Sequence, residues 1–250
     1  MSLLSLRLSG GAAVISLENG VSNPLDLEFL QEIGKALEEV RLNPEARGLV
    51  LTGGRRRLFS IGLNLPKLIA CPHEDFLVFY RALNELCLSL YSFPKPTVAA
   101  ISGHAVAGGC ILALCCDRRF IAEGRKLMGL NEVKLGLPVP YLPHLVLGRT
   151  VTAQAARQIV DSGELFEPPA LLSLGLVDRI IPPEALLAEA SAHALSLAVS
   201  PREFAQAKAA RIEPILAEYR AMGAAKDDEF LAMWRSPQAQ EKLKQAAEKF

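Results

Sequence analysis

Short runs of β-type residues alternate with longer segments of helical periodicity along most of the chain, and this alternation limits the possible folds more than any other feature. The helical segments include Leu30, Ile33, Leu37 and Val40 at helical spacing, the run from Phe76 to Phe93, and the residues that follow Gly109. The order of strands and helices predicts βαβ units, a mostly parallel sheet and therefore an α/β fold. The predicted strands are AAVISLEN, RGLVLTGG, TVAAISG, RRFIAEG and VDRIIPP, which begin at Ala12, Arg47, Thr97, Arg118 and Val177.

The strand patterns stop at Pro201, and the last 50 residues are helical in composition throughout. A helical segment of this size is too short to bury a core of its own, so we expect it to pack on the body of the protein or on another subunit. The sequence therefore predicts a core of residues 1–200 and a C-terminal helical region of residues 201–250.

Composition narrows the class of partner and the compartment. The 250 residues include 27 Lys and Arg and 27 Asp and Glu, so the formal net charge is zero. A chain without excess positive charge is not expected to bind nucleic acid as its main partner. No apolar run approaches the length of a membrane span, and the N-terminus has no signal-peptide pattern. The five cysteines form no CxxC pair, which indicates reduced core residues and no metal site. These features predict a cytoplasmic protein with no membrane contact.

Two junctions between a strand and a loop are rich in glycine. The first is LFSIGLNL, residues 58–65, and the second is ISGHAVAGGC, residues 101–110, in which Gly108 and Gly109 open a helix. A helix N-terminus has unpaired N–H groups that bind an oxyanion well, and glycine leaves room for it to approach. The alternative for each junction is a tight turn with close packing. The spacings of dinucleotide and phosphate loops are absent.

Glu132 lies in the segment MGLNEVKLGLPVP, between apolar neighbours. A carboxyl group in apolar surroundings has a raised pKa, which suits it to transfer protons near neutral pH. The alternative is a glutamate that extends to solvent or pairs with Lys134 or Arg149.

These three features, in this order, resemble the crotonase (enoyl-CoA hydratase/isomerase) superfamily, and the resemblance spans nearly the whole chain. It implies a spiral of ββα units, with C-terminal helices that assemble a homotrimer or a hexamer through residues such as Phe230, Leu231 and Trp234. It also implies an acyl-CoA substrate and no separate cofactor, because coenzyme A is part of the substrate.

The resemblance further implies the site. The segments FSIGLNL and AGGC match those whose backbone N–H groups hold the thioester oxygen, so the oxyanion hole falls on Leu63 and Gly108. Glu132 matches a catalytic carboxylate of the family. Asn64 stands where the family usually has Asp. The implied substrate-binding residues are Ile61, Gly62, Asn64, Leu65, Gly109, Ile111 and Asn131.

One position separates two reactions within the superfamily. Hydratases with two carboxylates carry a glutamate where this chain has Ile111, and hydration needs both acids. The chain is similar here to the mitochondrial-type 3,2-trans-enoyl-CoA isomerases of fatty acid β-oxidation, in which one carboxylate moves a proton from the alpha to the gamma carbon. The alternatives are a hydratase, decarboxylase, dienoyl isomerase or thioester hydrolase on the same oxyanion hole, or a non-catalytic acyl-CoA binder.

Two other features have a structural alternative. Arg55, Arg56 and Arg57 precede the first glycine-rich junction and suit CoA phosphates, although a solvated basic turn explains them equally well. His104 lies near the glycine pair, and we interpret it as a structural or pocket-wall residue.

Overall fold

The computed structural model describes residues 2–54 and 58–248. The three arginines at positions 55–57, considered above as phosphate contacts, lie outside the described residues.

The elements follow the predicted alternation. The first half contains β1 (Leu4–Ser9), β2 (Ala12–Leu17), β3 (Pro24–Leu25), α1 (Leu27–Leu42), β4 (Gly48–Thr52), β5 (Leu58–Ser60), β6 (Gly62–Leu63), α2 (Leu65–Ala70), α3 (His73–Tyr91), β7 (Thr97–Ile101) and β8 (His104–Val106). The second half contains α4 (Gly108–Leu114), β9 (Arg118–Ala122), β10 (Met128–Gly129), a 3-10 helix (Glu132–Leu135), α5 (Tyr141–Thr150), α6 (Ala153–Ser162), α7 (Pro168–Ser173), β11 (Arg179–Ile181), α8 (Leu186–Leu197), α9 (Pro201–Trp234) and α10 (Pro237–Ala247).

The main sheet has six strands in the order β1-β2-β4-β7-β9-β11. Among the described strands of this sheet, only β1 is antiparallel to its neighbour, and every other pair is parallel. All residues of β4 and β7 are buried, as expected for parallel strands that are covered on both faces. The five predicted strands all belong to this sheet, so the predicted α/β architecture is confirmed.

The two faces of the main sheet are covered by different helices. On one face, Val50 and Val98 pack with Ala190 and Ala194 of α8. On the other, the larger core includes residues of α1, α3 and α4. The sequence explains α1 locally, because the side chain of Asp26 accepts a hydrogen bond from Phe29 N and caps the helix at its start.

Short strands missed by the sequence reading form two small parallel sheets. One has the order β10-β8-β5 and the other pairs β3 with β6. Each of these strands is two or three residues long, which is too short to show a period of two in the sequence. They matter for the site because β5 and β6 carry residues 58–63 past the start of α4.

The C-terminal helices pack on the body of their own chain. The buried Lys208 of α9 lies 2.8 Å from Asp117 Oδ2, just before β9. Phe230 and Trp234, at the other end of α9, are each 4% exposed. The sequence reading placed these two side chains in an interface between subunits, which is wrong because α3 of the same chain covers them. The trimer or hexamer and the division at residue 200 stay predictions.

None of the helices within residues 2–54 and 58–248 combines the length and the apolar character that a bilayer crossing requires. The cytoplasmic compartment stays a prediction.

Candidate active site

A cavity of about 310 Å³ lies between the 3-10 helix, the start of α4 and the C-terminal helices. Among the described residues that line it, Glu132 is the only ionisable one and Asn131 the only other polar one. The cavity therefore brings one carboxyl group into apolar surroundings, which is the usual composition of a small-molecule site. Six of the predicted site residues line it, namely Ile61, Leu63, Leu65, Ile111, Asn131 and Glu132.

Glu132 begins the 3-10 helix and is 6% exposed. Burial disfavours the charged form and raises the pKa of this carboxyl group to about 7. Its Oε2 atom has no hydrogen-bond partner among the described residues, and the neighbouring Lys134 pairs with Glu164 instead. The alternative in which Lys134 neutralises Glu132 is therefore wrong. A carboxyl group with this pKa exists in both protonation states near neutral pH and is able both to accept and to return a proton.

Asn131 precedes the 3-10 helix at its N-cap position. Asparagine usually caps a helix by accepting a hydrogen bond, but the Asn131 side chain makes no such bond. Its buried Oδ1 atom has no partner among the described residues. Asn131 is therefore free to bond to a molecule in the cavity.

Residues 60–63 pack directly against residues 107–111, and we call this pair of segments the glycine junction. A Cβ atom on Gly109 would lie 2.3 Å from the carbonyl oxygen of Ser60. A Cβ atom on Gly108 would lie 2.9 Å from Leu25 Cδ1 and 3.1 Å from Leu63 Cδ1. The alternative of close packing is therefore correct for these glycines, because parts of the chain itself occupy the space beside them.

Buried side chains hold the first segment of the glycine junction in place. Asn23 donates from Nδ2 to Phe59 O at 2.9 Å, and Ser60 donates from Oγ to Asn23 O at 2.7 Å. Ser60 Oγ also accepts from Gly62 N at 3.1 Å. The sequence analysis did not single out Asn23. Its positive φ of 49° and its burial are visible only in the structure.

Close packing at the glycine junction brings two backbone amides near each other. A Cβ atom on Gly62, whose φ is 93°, would lie 2.9 Å from Gly108 N. Gly108 N is in the first turn of α4, where amides lack a partner within the helix. On the other segment, Asn64 N donates to Leu25 O at 2.8 Å. Leu63 N follows Gly62 directly in the chain, so it belongs to the segment that approaches Gly108 N.

Ala107 connects the glycine junction to α4 in an unusual conformation. Its φ of 47° and ψ of −115° are rare for a residue with a Cβ atom. Ala107 lines the cavity, and its carbonyl accepts from Ile111 N at 2.9 Å, the first bond of the helix. Strain of this kind persists where the surrounding structure holds the backbone.

The remaining predicted residues lie beside the cavity rather than in its lining. Asn64 caps α2, since its Oδ1 accepts from Lys67 N at 3.3 Å. Gly62, Gly108 and Gly109 act through their backbones, as described above. His104 is structural, because its Nδ1 accepts from Leu127 N at 2.8 Å and burial lowers its pKa. Roles in binding for these residues stay predictions.

One wall of the cavity was missed by the sequence reading. Phe230 and Trp234 of α9 line the cavity together with Leu243 and Ala246 of α10. Trp234 stacks on Phe76 with ring centroids 4.0 Å apart, and Phe230 stacks on Tyr80 at 4.5 Å. We call these four rings the aromatic wall. In each helix the two aromatic residues are four positions apart, so the sequence indicates that they share one helix face. Only the fold shows that the two faces pack against each other.

Comparison with known proteins agrees with this geometry. The model of the family described as enoyl-CoA hydratase/isomerase matches residues 7–250. The human protein named mitochondrial enoyl-CoA delta isomerase 1 is 37% identical over 175 residues, which are 70% of this chain and 58% of that protein. The rat protein of the same name is 36% identical over 69% of this chain and 60% of its own length. The chain thus spans about three fifths of the length of these relatives.

A solved structure matches over a longer part of the chain. The crystal structure of human mitochondrial delta3-delta2-enoyl-CoA isomerase superposes with a TM-score of 0.94 at 30% identity, covering 99% of this chain and 98% of that one. The predicted crotonase-like fold is thereby confirmed. A Thermus thermophilus protein, provisionally named an enoyl-CoA hydratase, is 39% identical over 76% of this chain and 75% of its own length. The chain belongs to the enoyl-CoA hydratase/isomerase family.

Proposed function

We propose that the protein is an enoyl-CoA isomerase that converts a 3-enoyl-CoA into the 2-enoyl-CoA. Glu132 takes a proton from the alpha carbon, and the electrons of that C–H bond move into the thioester to give a dienolate. Glu132 then returns the proton to the gamma carbon as the double bond shifts. Atoms and charges balance without a cofactor. Such a reaction belongs to the oxidation of unsaturated fatty acyl chains.

The backbone of the glycine junction supplies the oxyanion hole in this proposal. Leu63 N–H and Gly108 N–H donate to the thioester oxygen, whose negative charge develops as the proton leaves. One donor of this kind is worth about 3–4 kcal/mol in the transition state. The close approach of Gly62 to Gly108 N supports the pairing of these two donors.

The observation that carries the isomerase proposal is that Glu132 is the only carboxyl group that the described residues contribute to the cavity lining. Ile111, buried and 1% exposed, lines the same cavity as Glu132. An apolar residue at this position leaves no second acid to activate water, so return of the proton is favoured over hydration. The names of the human relatives support the same reaction.

The test is the variant Glu132→Gln, which keeps the shape of the side chain and removes the proton carrier. We expect the isomerisation rate to fall by a factor of about 10²–10⁴, with binding of a saturated acyl-CoA unchanged in calorimetry. A control is Glu164→Gln, because Glu164 is exposed and pairs only with Lys134 among the described residues. Near-normal turnover by Glu132→Gln would remove Glu132 from the mechanism.

The pH dependence gives a second readout on the same group. Because the ionised carboxylate is the base, kcat/KM should rise with pH through about 7 in the wild-type protein. Stability changes in the opposite direction. The folded carboxyl holds its proton up to about pH 7, whereas the unfolded one loses it near its ordinary pKa of 4.5. Stability therefore falls by up to about 3 kcal/mol as pH rises through this window, and Glu132→Gln should abolish that fall.

The same assays decide between the remaining reactions. Purified protein is given a 3-enoyl-CoA and, separately, a 2-enoyl-CoA in water. Rapid loss of the 2-enoyl absorbance identifies a hydratase, and release of free CoA identifies a thioester hydrolase. Binding without any turnover identifies a non-catalytic acyl-CoA binder.

A further inference from the structure

The aromatic wall closes the apolar side of the cavity. Phe230 and Trp234 meet Leu83 of α3 and Leu243 of α10 there, and none of these side chains carries a charge. Hydrocarbon is the part of an acyl-CoA that gains free energy in such surroundings. The acyl chain beyond the reacting carbons therefore contacts this wall.

The ring of Trp234 is held firmly in place. It stacks on Phe76 at 4.0 Å with 12° between the ring planes, and it is 4% exposed. A rotation of the indole away from the cavity would break this stack and open a void against Phe76, which close-packed interiors disfavour. A longer acyl chain cannot gain space by a simple movement of this side chain.

The helix that carries Trp234 is also fixed at several points. Tyr80 on α3 and Asp227 on α9 share a hydrogen bond of 3.1 Å, one turn before Phe230. Far along the same helix, the buried Lys208 pairs with Asp117 at 2.8 Å. Asp117 also accepts from Thr97 at the start of β7. Displacement of α9 as a unit would break contacts at both ends.

The volume of the cavity limits what it can hold. The cavity, of about 310 Å³, is at the small end of the range for small-molecule sites, and it also has to hold the thioester and the reacting carbons. With a wall that does not move, this volume sets an upper length for the acyl chain.

We propose that Trp234 is the specificity-determining residue for acyl chain length, and that it restricts the protein to short and medium chains. The indole acts as a fixed stop, and Phe76 acts as a positioning residue that keeps it in the cavity wall. The inference rests on the proposed function for its kinetic readout.

The experiment compares 3-hexenoyl-, 3-decenoyl- and 3-hexadecenoyl-CoA as substrates. In the wild-type protein, kcat/KM for the hexadecenoyl substrate should be at least about tenfold below that for the decenoyl substrate. Trp234→Ala should raise the hexadecenoyl-to-decenoyl ratio by about tenfold or more, and Trp234→Phe should raise it less. The control is Met233→Ala, because Met233 is the neighbouring residue on α9, is 45% exposed and does not line this cavity. Its ratio should stay at the wild-type value.

A second variant changes the cavity in the opposite direction and covers the case in which Trp234→Ala does not fold. Ala246 lines the cavity from α10, and Ala246→Leu should lower kcat/KM for the decenoyl substrate relative to the hexenoyl one. Rapid turnover of the hexadecenoyl substrate by the wild-type protein would overturn the proposal. An unchanged hexadecenoyl-to-decenoyl ratio in folded Trp234→Ala protein would also overturn it. If Trp234→Ala does not fold, an unchanged decenoyl-to-hexenoyl ratio in Ala246→Leu would do the same.

Failure of the proposed function is recognised separately. If the wild-type protein turns over none of the three substrates, the isomerase proposal fails. Chain length is then read from calorimetric affinities for decanoyl- and hexadecanoyl-CoA, which require binding alone. Equal affinities of wild-type and Trp234→Ala protein for hexadecanoyl-CoA would overturn the inference as well.

Discussion

The glycine junction and the aromatic wall both contribute residues to the cavity lining, the wall through Phe230 and Trp234, but the two regions are held together by different kinds of contact. In the glycine junction, a Cβ atom on Gly109 would meet the backbone of Ser60, so one of the two backbone segments would have to shift. In the aromatic wall, α3 and α9 meet through the rings of Phe76 and Trp234 and of Tyr80 and Phe230. Backbone contacts tolerate almost no change, whereas side-chain contacts weaken by degrees. The first region suits fixed chemistry, and the second suits a specificity that single substitutions can adjust.

The largest effect is expected for Gly109→Ala. Its Cβ atom would lie 2.3 Å from Ser60 O and 2.9 Å from Ser60 C, so one backbone segment must shift. We expect a loss of more than about 4 kcal/mol in the free energy of unfolding, measured by urea denaturation.

The control for Gly109→Ala is Gly34→Ala in α1. A Cβ atom there has nothing within 4 Å, and alanine favours the helix by about 0.5–1 kcal/mol. A loss of stability in Gly109→Ala together with a gain in Gly34→Ala would support the view that backbone contacts hold the glycine junction. A mild loss in Gly109→Ala, similar to that of an ordinary surface change, would show that the glycine junction is able to relax.

A smaller but still large effect is expected for Phe76→Ala. Phe76 is 1% exposed, and its removal leaves a void beneath Trp234, which costs about 3–4 kcal/mol. Because the rest of the aromatic wall remains, the protein should stay folded and active at room temperature, with a weaker preference for short chains. Val78→Ala on the same helix is the control, since Val78 is 48% exposed. Complete loss of activity in folded Phe76→Ala would mean that the wall supports the chemistry and not only the specificity.

The smallest effect is expected for Ala107→Gly, and it has the opposite sign. Glycine at position 107 would remove the backbone strain at φ 47°, which stabilises the folded protein by about 1–3 kcal/mol. Glycine also has more conformational freedom in the unfolded chain, which lowers the stability by about 1 kcal/mol. We expect a net gain of about 1 kcal/mol in thermal or urea denaturation. Ala210→Gly, at an exposed site within α9, should instead cost about 1 kcal/mol. A loss in both variants would show that Ala107 is not strained.

Much of the candidate site was predictable because its signals are local. The glycines of residues 58–65 and 101–110 mark two junctions by themselves, and Glu132 stands out by its apolar neighbours. The burial of Glu132 and the packing of Ile111 beside the same cavity agree with that reading. The reason for the glycines was less accessible, since the Ser60 carbonyl that excludes a Cβ atom from Gly109 lies 49 residues earlier in the chain.

The sequence by itself determined the α/β alternation, the parallel strands and the apolar setting of Glu132, because hydrophobic periodicity and apolar neighbours act over a few residues. The tertiary structure alone decided that Phe230 and Trp234 face Phe76 and Tyr80 of the same chain, and not another subunit. Helices α3 and α9 are separated by more than a hundred residues. The sequence of an amphipathic helix shows which face is apolar, but it does not show which surface will cover that face. Only the path of the whole chain settles that choice, since it places α9 across the open side of the cavity.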